Sequence, residues 1–121
     1  MNYKIVIIGA GSTNFGLGIV SDFFKSKILK GATIVLHDIN SETLKNTLEI
    51  ALSYKEKLGV DFKIEATTSR TEALKDANFC LISIEVGRRF DLWDQDWKTP
   101  LQYGVNQVYG ENGGPGGLFH A

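Results

Sequence analysis

Gly9 and Gly11 stand at the end of the apolar run Tyr3–Ile8 (YKIVII), with Ser12, Thr13 and Asn14 next and helical periodicity after them. That order of residues suits the binding of a phosphate. The first glycine allows a tight turn, and the second lets backbone approach an anion closely. The helix start then offers N–H groups and the positive end of its dipole. Asn14 occupies the place of a third glycine, and the next glycine is Gly16. The match to G-x-G-x-x-G is partial, so a later helix start or looser packing of that helix on the sheet is expected. Asp38 closes a second apolar run, Ala32–Leu36, at the distance where a carboxylate can hold the ribose hydroxyls of a dinucleotide. A carboxylate there repels a 2′-phosphate, and no Arg or Lys follows before Lys45. The pair predicts NAD rather than NADP as cofactor.

These residues need a frame of alternating strands and helices. Tyr3–Ile8 reads as a buried parallel strand. Leu17, Val20 and Phe24 recur at helical spacing, with Ile28 one turn on, and Ala32–Leu36 is a second strand closed by His37 and Asp38. Ser41 suits a helix N-cap, with Leu44, Leu48, Ala51, Leu52 and Leu58 as the apolar stripe and Gly59 as the stop. Phe62–Ala66 alternates as a third strand, Thr71–Asp76 suits a short helix, and Phe79–Ile84 reads as a fourth buried strand. The alternation predicts an α/β fold of Rossmann type, a doubly wound parallel sheet, in its N-terminal part only. Should no fifth strand cover Phe79–Ile84, that apolar edge is an association hazard.

From Arg88 to Tyr103 the spacing of Phe90, Trp93, Trp97 and Leu101 predicts a helix that Pro100 disturbs. Tyr109–Gly117 (YGENGGPGG) holds five of the 13 glycines, a density that regular structure does not accommodate. It reads as a defined loop around Glu111 and Asn112 that leads into a helix start.

Other polar residues carry weaker signals. Cys80 sits in an apolar strand and reads as a small core residue; alone, it cannot make an internal disulfide. His37 reads as a polar strand-end residue rather than a catalytic one. Asp91, Asp94 and Asp96 read as a solvated face, with no metal site predicted within the chain. Two histidines assemble no Ser–His–Asp arrangement. Thirteen basic against 14 acidic residues leave a net charge of -1, which gives no electrostatic case for nucleic acid or an anionic membrane. Apolar runs fall far short of the roughly 20 residues that span a bilayer. No signal peptide precedes the first strand, and the expectation is a cytoplasmic protein.

Three segments, VIIGAGS, ISIEVG at 82–87 and YGVNQVYGENGGPGG at 103–117, resemble the N-terminal part of glycoside hydrolase family 4. The resemblance covers the whole chain, and its last segment is the most specific. It implies a longer enzyme that uses NAD and a divalent metal, commonly manganese, on a glycoside. Redox-assisted elimination is the implied route, an exception to two-carboxylate glycoside hydrolysis. The sugar is oxidised at C3 by NAD, which acidifies the C2 proton. A metal-stabilised enediolate forms as the glycosidic oxygen leaves, water adds, and the hydride returns.

By position, the resemblance places Gly9, Gly11, Ser12, Thr13 and Asn14 around the pyrophosphate. Asp38 would hold the ribose, and Glu85, Val86 and Gly87 would lie along the cofactor. Glu111 matches the acidic residue of the family's Q-E-T-x-G-x-G-G segment beside the sugar, and Asn112 follows it. Trp93 stands where the phospho-glycosidase branch carries an Arg for the sugar 6-phosphate. An indole has one donor and no charge, so an unphosphorylated hexoside or hexuronoside is expected, with Trp93 stacking on it. Arg88 or Arg89 would meet a carboxylate.

The family's metal ligands and proton-removing Tyr lie beyond residue 121, so no catalytic residue is expected in this segment. The implied organisation is residues 1–121 as an NAD-binding domain, with 88–121 opening the substrate-facing region of a homo-oligomeric enzyme. Two other readings stay open on the residues alone: a 2-hydroxy-acid-type dehydrogenase segment and a non-catalytic nucleotide-binding module.

Overall fold

A computed structural model of the chain describes residues 2–12, 15–85, 87–106, 114, 115 and 118. The chain divides into two compact units, Met1–Ile84 and Glu85–Ala121.

The first unit holds four strands: β1 (Lys4–Ile8), β2 (Thr33–His37), β3 (Lys63–Thr67) and β4 (Phe79–Ile82). They lie in the order β3-β2-β1-β4, every pairing parallel. The chain thus starts at the centre of the sheet, builds outward on one side, then crosses back to the other. Helices α1 (Phe15–Lys25), α2 (Ser41–Leu58) and α3 (Arg70–Leu74) make the crossings.

Alternation along β1 distributes these helices over both faces of the sheet. Ile5 and Ile7 join Val20 and Phe24 of α1 and Leu44 and Ala51 of α2 in one buried cluster. Val6, with Val35 of β2, packs instead against Ala73 of α3. Successive strand residues point to opposite faces, so an unbroken apolar run is what a doubly covered strand requires. Each large aliphatic side chain buried this way contributes about 1.5–3 kcal/mol.

Several local expectations need correction. The N-cap of α2 is Asn40, whose side chain accepts the N–H groups of Glu42 and Thr43; Ser41 is the first helical residue. Asn40 takes extended backbone (φ -92°, ψ 106°), which aims its short amide oxygen at the first turn. Gly59 ends the helix in the left-handed region at φ 61°, as its lack of a Cβ allows. Leu52 and Leu58 stand exposed, outside the stripe expected to bury them. One residue on from Ala51 is about 100° round the helix, which turns Leu52 off the buried face.

β4 ends at Ile82 and is mostly exposed, as is Cys80 within it. The reason is position: β4 forms one edge of the sheet among the described residues, with Ile82 67% exposed. His37 closes β2, yet it is 4% exposed and its Nδ1 donates to the Thr67 carbonyl at 2.9 Å.

In the second unit α4 (Arg89–Gln102) runs through Pro100 without breaking. Proline lacks the N–H directed at the carbonyl four residues earlier and its ring crowds that carbonyl, but here the disturbance falls in the last turn, with two residues left to run. Asp96 is buried in α4 at 8% exposure, so only Asp91 and Asp94 form the expected solvated face. Among the described residues no helix is long and apolar enough to cross a membrane.

Candidate functional site

The glycine loop is stitched to the end of β2 by three consecutive N–H groups. Gly9 and Ala10 both donate to the His37 carbonyl, at 2.9 and 3.0 Å. Gly11 donates to Asp38 Oδ2 at 2.8 Å, and Asn40 N–H meets Asp38 Oδ1 at 3.0 Å. The Asp38 carboxylate is thereby held by both oxygens. A carboxylate offers about four acceptor positions, so each oxygen keeps capacity for a hydroxyl donor.

Space explains the glycines. Gly9 has φ 89°, and a Cβ there would lie 1.8 Å from the Ser83 carbonyl oxygen at the end of β4. At Gly11 a Cβ would fall 2.5 Å from Thr43 Oγ1 and 2.7 Å from Asp38 Oδ2. Any side chain there would push the acid out of place. The missing third glycine is compensated two residues later. A Cβ on Gly16 would sit 2.4 Å from the Ala10 carbonyl oxygen, and Gly16 N–H donates to Ser12 O at 2.9 Å. Against expectation, α1 therefore packs tightly onto the loop, with Gly16 in place of Asn14. Its first turn carries no acidic residue, which leaves the helix dipole uncompensated where an anion would approach.

Of the residues predicted from sequence, the structure brings Gly9, Gly11, Ser12 and Asp38 together. The N–H groups of Gly9 and Gly11 are spent on β2, so these glycines shape the loop instead of donating outward. Thr13, Asn14, Val86, Glu111 and Asn112 lie outside the described residues, as does most of the glycine-rich segment. Sequence reasoning missed Thr43, whose hydroxyl crowds Gly11; nothing in a helix's first turn announces a neighbour that far away in the chain. It also missed the part played by the His37 backbone.

The second unit holds its own cluster around the start of α4. Arg89 Nε lies 2.9 Å from Glu85 Oε2, and its guanidinium carbon is 5.0 Å from the Trp93 ring centroid. Phe90 meets Trp93 edge-to-face at 5.7 Å. Arg88 is the N-cap of α4 without a side-chain capping bond, and its Nε stands 3.4 Å from Asp91. Gly87 takes φ 95° just before it. Further along α4, Asp94 pairs with Lys98; the hydrogen bond from Lys98 holds the Asp94 carboxyl below its ordinary range. No group of three His, Cys, Asp or Glu among the described residues could hold a metal ion.

Comparison with known proteins adds what geometry does not. The family model for family 4 glycosyl hydrolases matches residues 4–121. An alpha-glucosidase of Erwinia rhapontici is 54% identical over 121 residues, all of this chain and 27% of that protein. An alpha-galacturonidase of Thermoanaerobacter italicus is 36% identical over 118 residues, 98% of this chain and 25% of that protein. This chain therefore spans about a quarter of the length of these relatives. A 6-phospho-alpha-glucosidase from gut microorganisms, solved with NAD and Mn2+, shares the fold. Its TM-score is 0.78 at 24% identity, over 99% of this chain and 27% of that one.

Proposed function

This chain belongs to the family 4 glycosyl hydrolases, and from that premise we propose that it is the NAD-holding N-terminal part of a glycosidase. The observation that carries the reading is the contact of Asp38 with Gly11. It puts the acid at the end of β2 against the loop that leads into α1, the arrangement a dinucleotide needs. The site fits the cofactor: the loop has no Cβ at Gly9 or Gly11, α1 opens without an acid, and the held carboxylate has acceptor capacity left for ribose hydroxyls. Ser12 and the start of α1 would face the pyrophosphate, and Asp38 would select NAD over NADP. Bound NAD supplies a reversible hydride acceptor. The divalent ion of the proposed elimination route would take its ligands from residues beyond 121, as the family resemblance implies.

On the sugar side, Trp93 would stack against an unphosphorylated hexoside or hexuronoside, and Arg88, its side chain 88% exposed, would meet a carboxylate. The alpha-glucosidase and alpha-galacturonidase relatives support this substrate class. The family match and these relatives favour a glycosidase over a hydroxy-acid dehydrogenase. A cytoplasmic homo-oligomer acting on small glycosides, without nucleic acid or membrane, completes the proposal.

The test is hydrolysis by the complete enzyme of paired α-glucosides and their 6-phosphates, run in D2O with NAD+ and Mn2+. The expected result is turnover that needs both additions, favours the unphosphorylated partner and leaves deuterium at C2 of the product. Turnover without NAD+, or without C2 deuterium, overturns the redox reading. Preference for the phosphorylated partner overturns the role given to Trp93.

A further inference from the structure

Glu85, Arg89 and Trp93 are spaced four residues apart and touch in series. The Arg89 Nε binds Glu85 Oε2 at 2.9 Å, and the same guanidinium lies over the Trp93 ring at 5.0 Å. Arg88, one residue earlier, pairs with the exposed Asp91 at the longer 3.4 Å, with its side chain 88% exposed against 57% for Arg89. The two arginines are therefore not equivalent. A planar guanidinium can pair with a carboxylate along one edge while its face lies on an aromatic ring, which a lysine ammonium does less well.

We propose that Arg89 is a positioning residue: braced by Glu85, it fixes the plane of Trp93 so that the indole is presented to the sugar in one orientation. This rests on the reading that Trp93 faces the sugar. The indole has two rotatable side-chain torsions, and Arg89 and the edge-on Phe90 both bear on its ring. Holding it before the substrate arrives removes an ordering cost from binding, which appears in KM rather than in the chemical step. Arg89 is thus committed inside the cluster, while the more exposed Arg88, paired at longer range, is better placed to meet a charged substrate.

The experiment compares Arg89→Ala, Arg89→Lys and Trp93→Ala in the complete enzyme, with kcat and KM on an unphosphorylated α-glucoside. Acrylamide quenching of Trp93 is read as the difference between each protein and the same protein carrying Trp93→Phe. Arg89→Ala should raise KM about tenfold, the scale of a lost cation–π contact, with kcat within about twofold. It should also make Trp93 easier to quench, and Arg89→Lys should recover part of both effects. If Trp93→Ala raises KM while Arg89→Ala leaves KM and quenching unchanged, the positioning role is overturned. If Trp93→Ala itself leaves KM unchanged, the sugar-facing reading of Trp93 fails first, and the two failures are told apart. A fall in kcat alone, equal for Arg89→Ala and Arg89→Lys, also overturns it.

Discussion

Asp38 Oδ2 accepts the N–H of Gly11 at 2.8 Å, joining two residues 27 apart in sequence. The acid does two things at once: it closes the loop against β2 and supplies negative charge at the ribose end of the proposed site. Asp38→Asn separates them, because the amide oxygen can still accept from Gly11 while the charge is gone. Titration calorimetry on the complete enzyme should show NAD bound at least about tenfold more tightly than NADP, a difference of about 1.4 kcal/mol. Asp38→Asn should shrink that ratio, at a stability cost of about 1 kcal/mol because the amide NH2 cannot accept the Asn40 N–H. Equal binding of the two cofactors by the unaltered protein would remove the role given to Asp38.

Two glycines of α1 make opposite predictions. Gly16→Ala puts a methyl 2.4 Å from the Ala10 carbonyl, backbone that cannot step aside, whereas a Cβ at Gly18 meets nothing within 4 Å. Overpacking at Gly16 should cost about 1–3 kcal/mol. Gly18→Ala should stabilise by about 0.5–1 kcal/mol through helix propensity. Urea melts that rank the two the other way would contradict the tight packing of α1 on the loop.

The cap of α2 can be located by mutation. Asn40→Ala removes the acceptor for two N–H groups and should cost about 1 kcal/mol, while Ser41→Ala should change stability by a few tenths at most. A larger loss at Ser41 would reinstate it as the cap.

β4 exposes Phe79 and Ile82 along one edge of the sheet among the described residues. A polypeptide of residues 1–121 alone should self-associate, and Ile82→Lys should reduce this by placing a charge on the strand. Sedimentation velocity decides it: a clean monomer at micromolar concentration before any substitution is the opposing result.

Asp94 gives a pH prediction of small size. Its carboxyl is held below the ordinary 3.8 by the hydrogen bond from Lys98. A folded-state value lower than the unfolded one adds stability above the unfolded value, and that stability is lost as pH falls through the folded one. The gap in melting temperature between the unaltered protein and Asp94→Asn should thus be present at neutral pH and close as acid is added. A gap that widens below pH 3.8 would contradict the pairing.

Much of this fold was determined by the sequence alone, because its signals are local. An unbroken β-branched run such as Tyr3–Ile8 suits a strand covered on both faces, and Gly59 ends α2 where only a residue without a Cβ is comfortable. The glycine pair before α1 and the acid after β2 were legible for the same reason: their types and spacing constrain the backbone that carries them. What the tertiary structure decided was every relation between segments distant in the chain. Gly16 serves as the close-packing glycine because the Ala10 carbonyl lies beneath it, and Cys80 is exposed because β4 lies at an edge of the sheet among the described residues. The Gly9 and Gly11 N–H groups turn inward because the end of β2 offers the acceptors. Periodicity reports which face of an element is apolar, but not which neighbour meets it, and contact distances between such neighbours exist only once the sheet order is set.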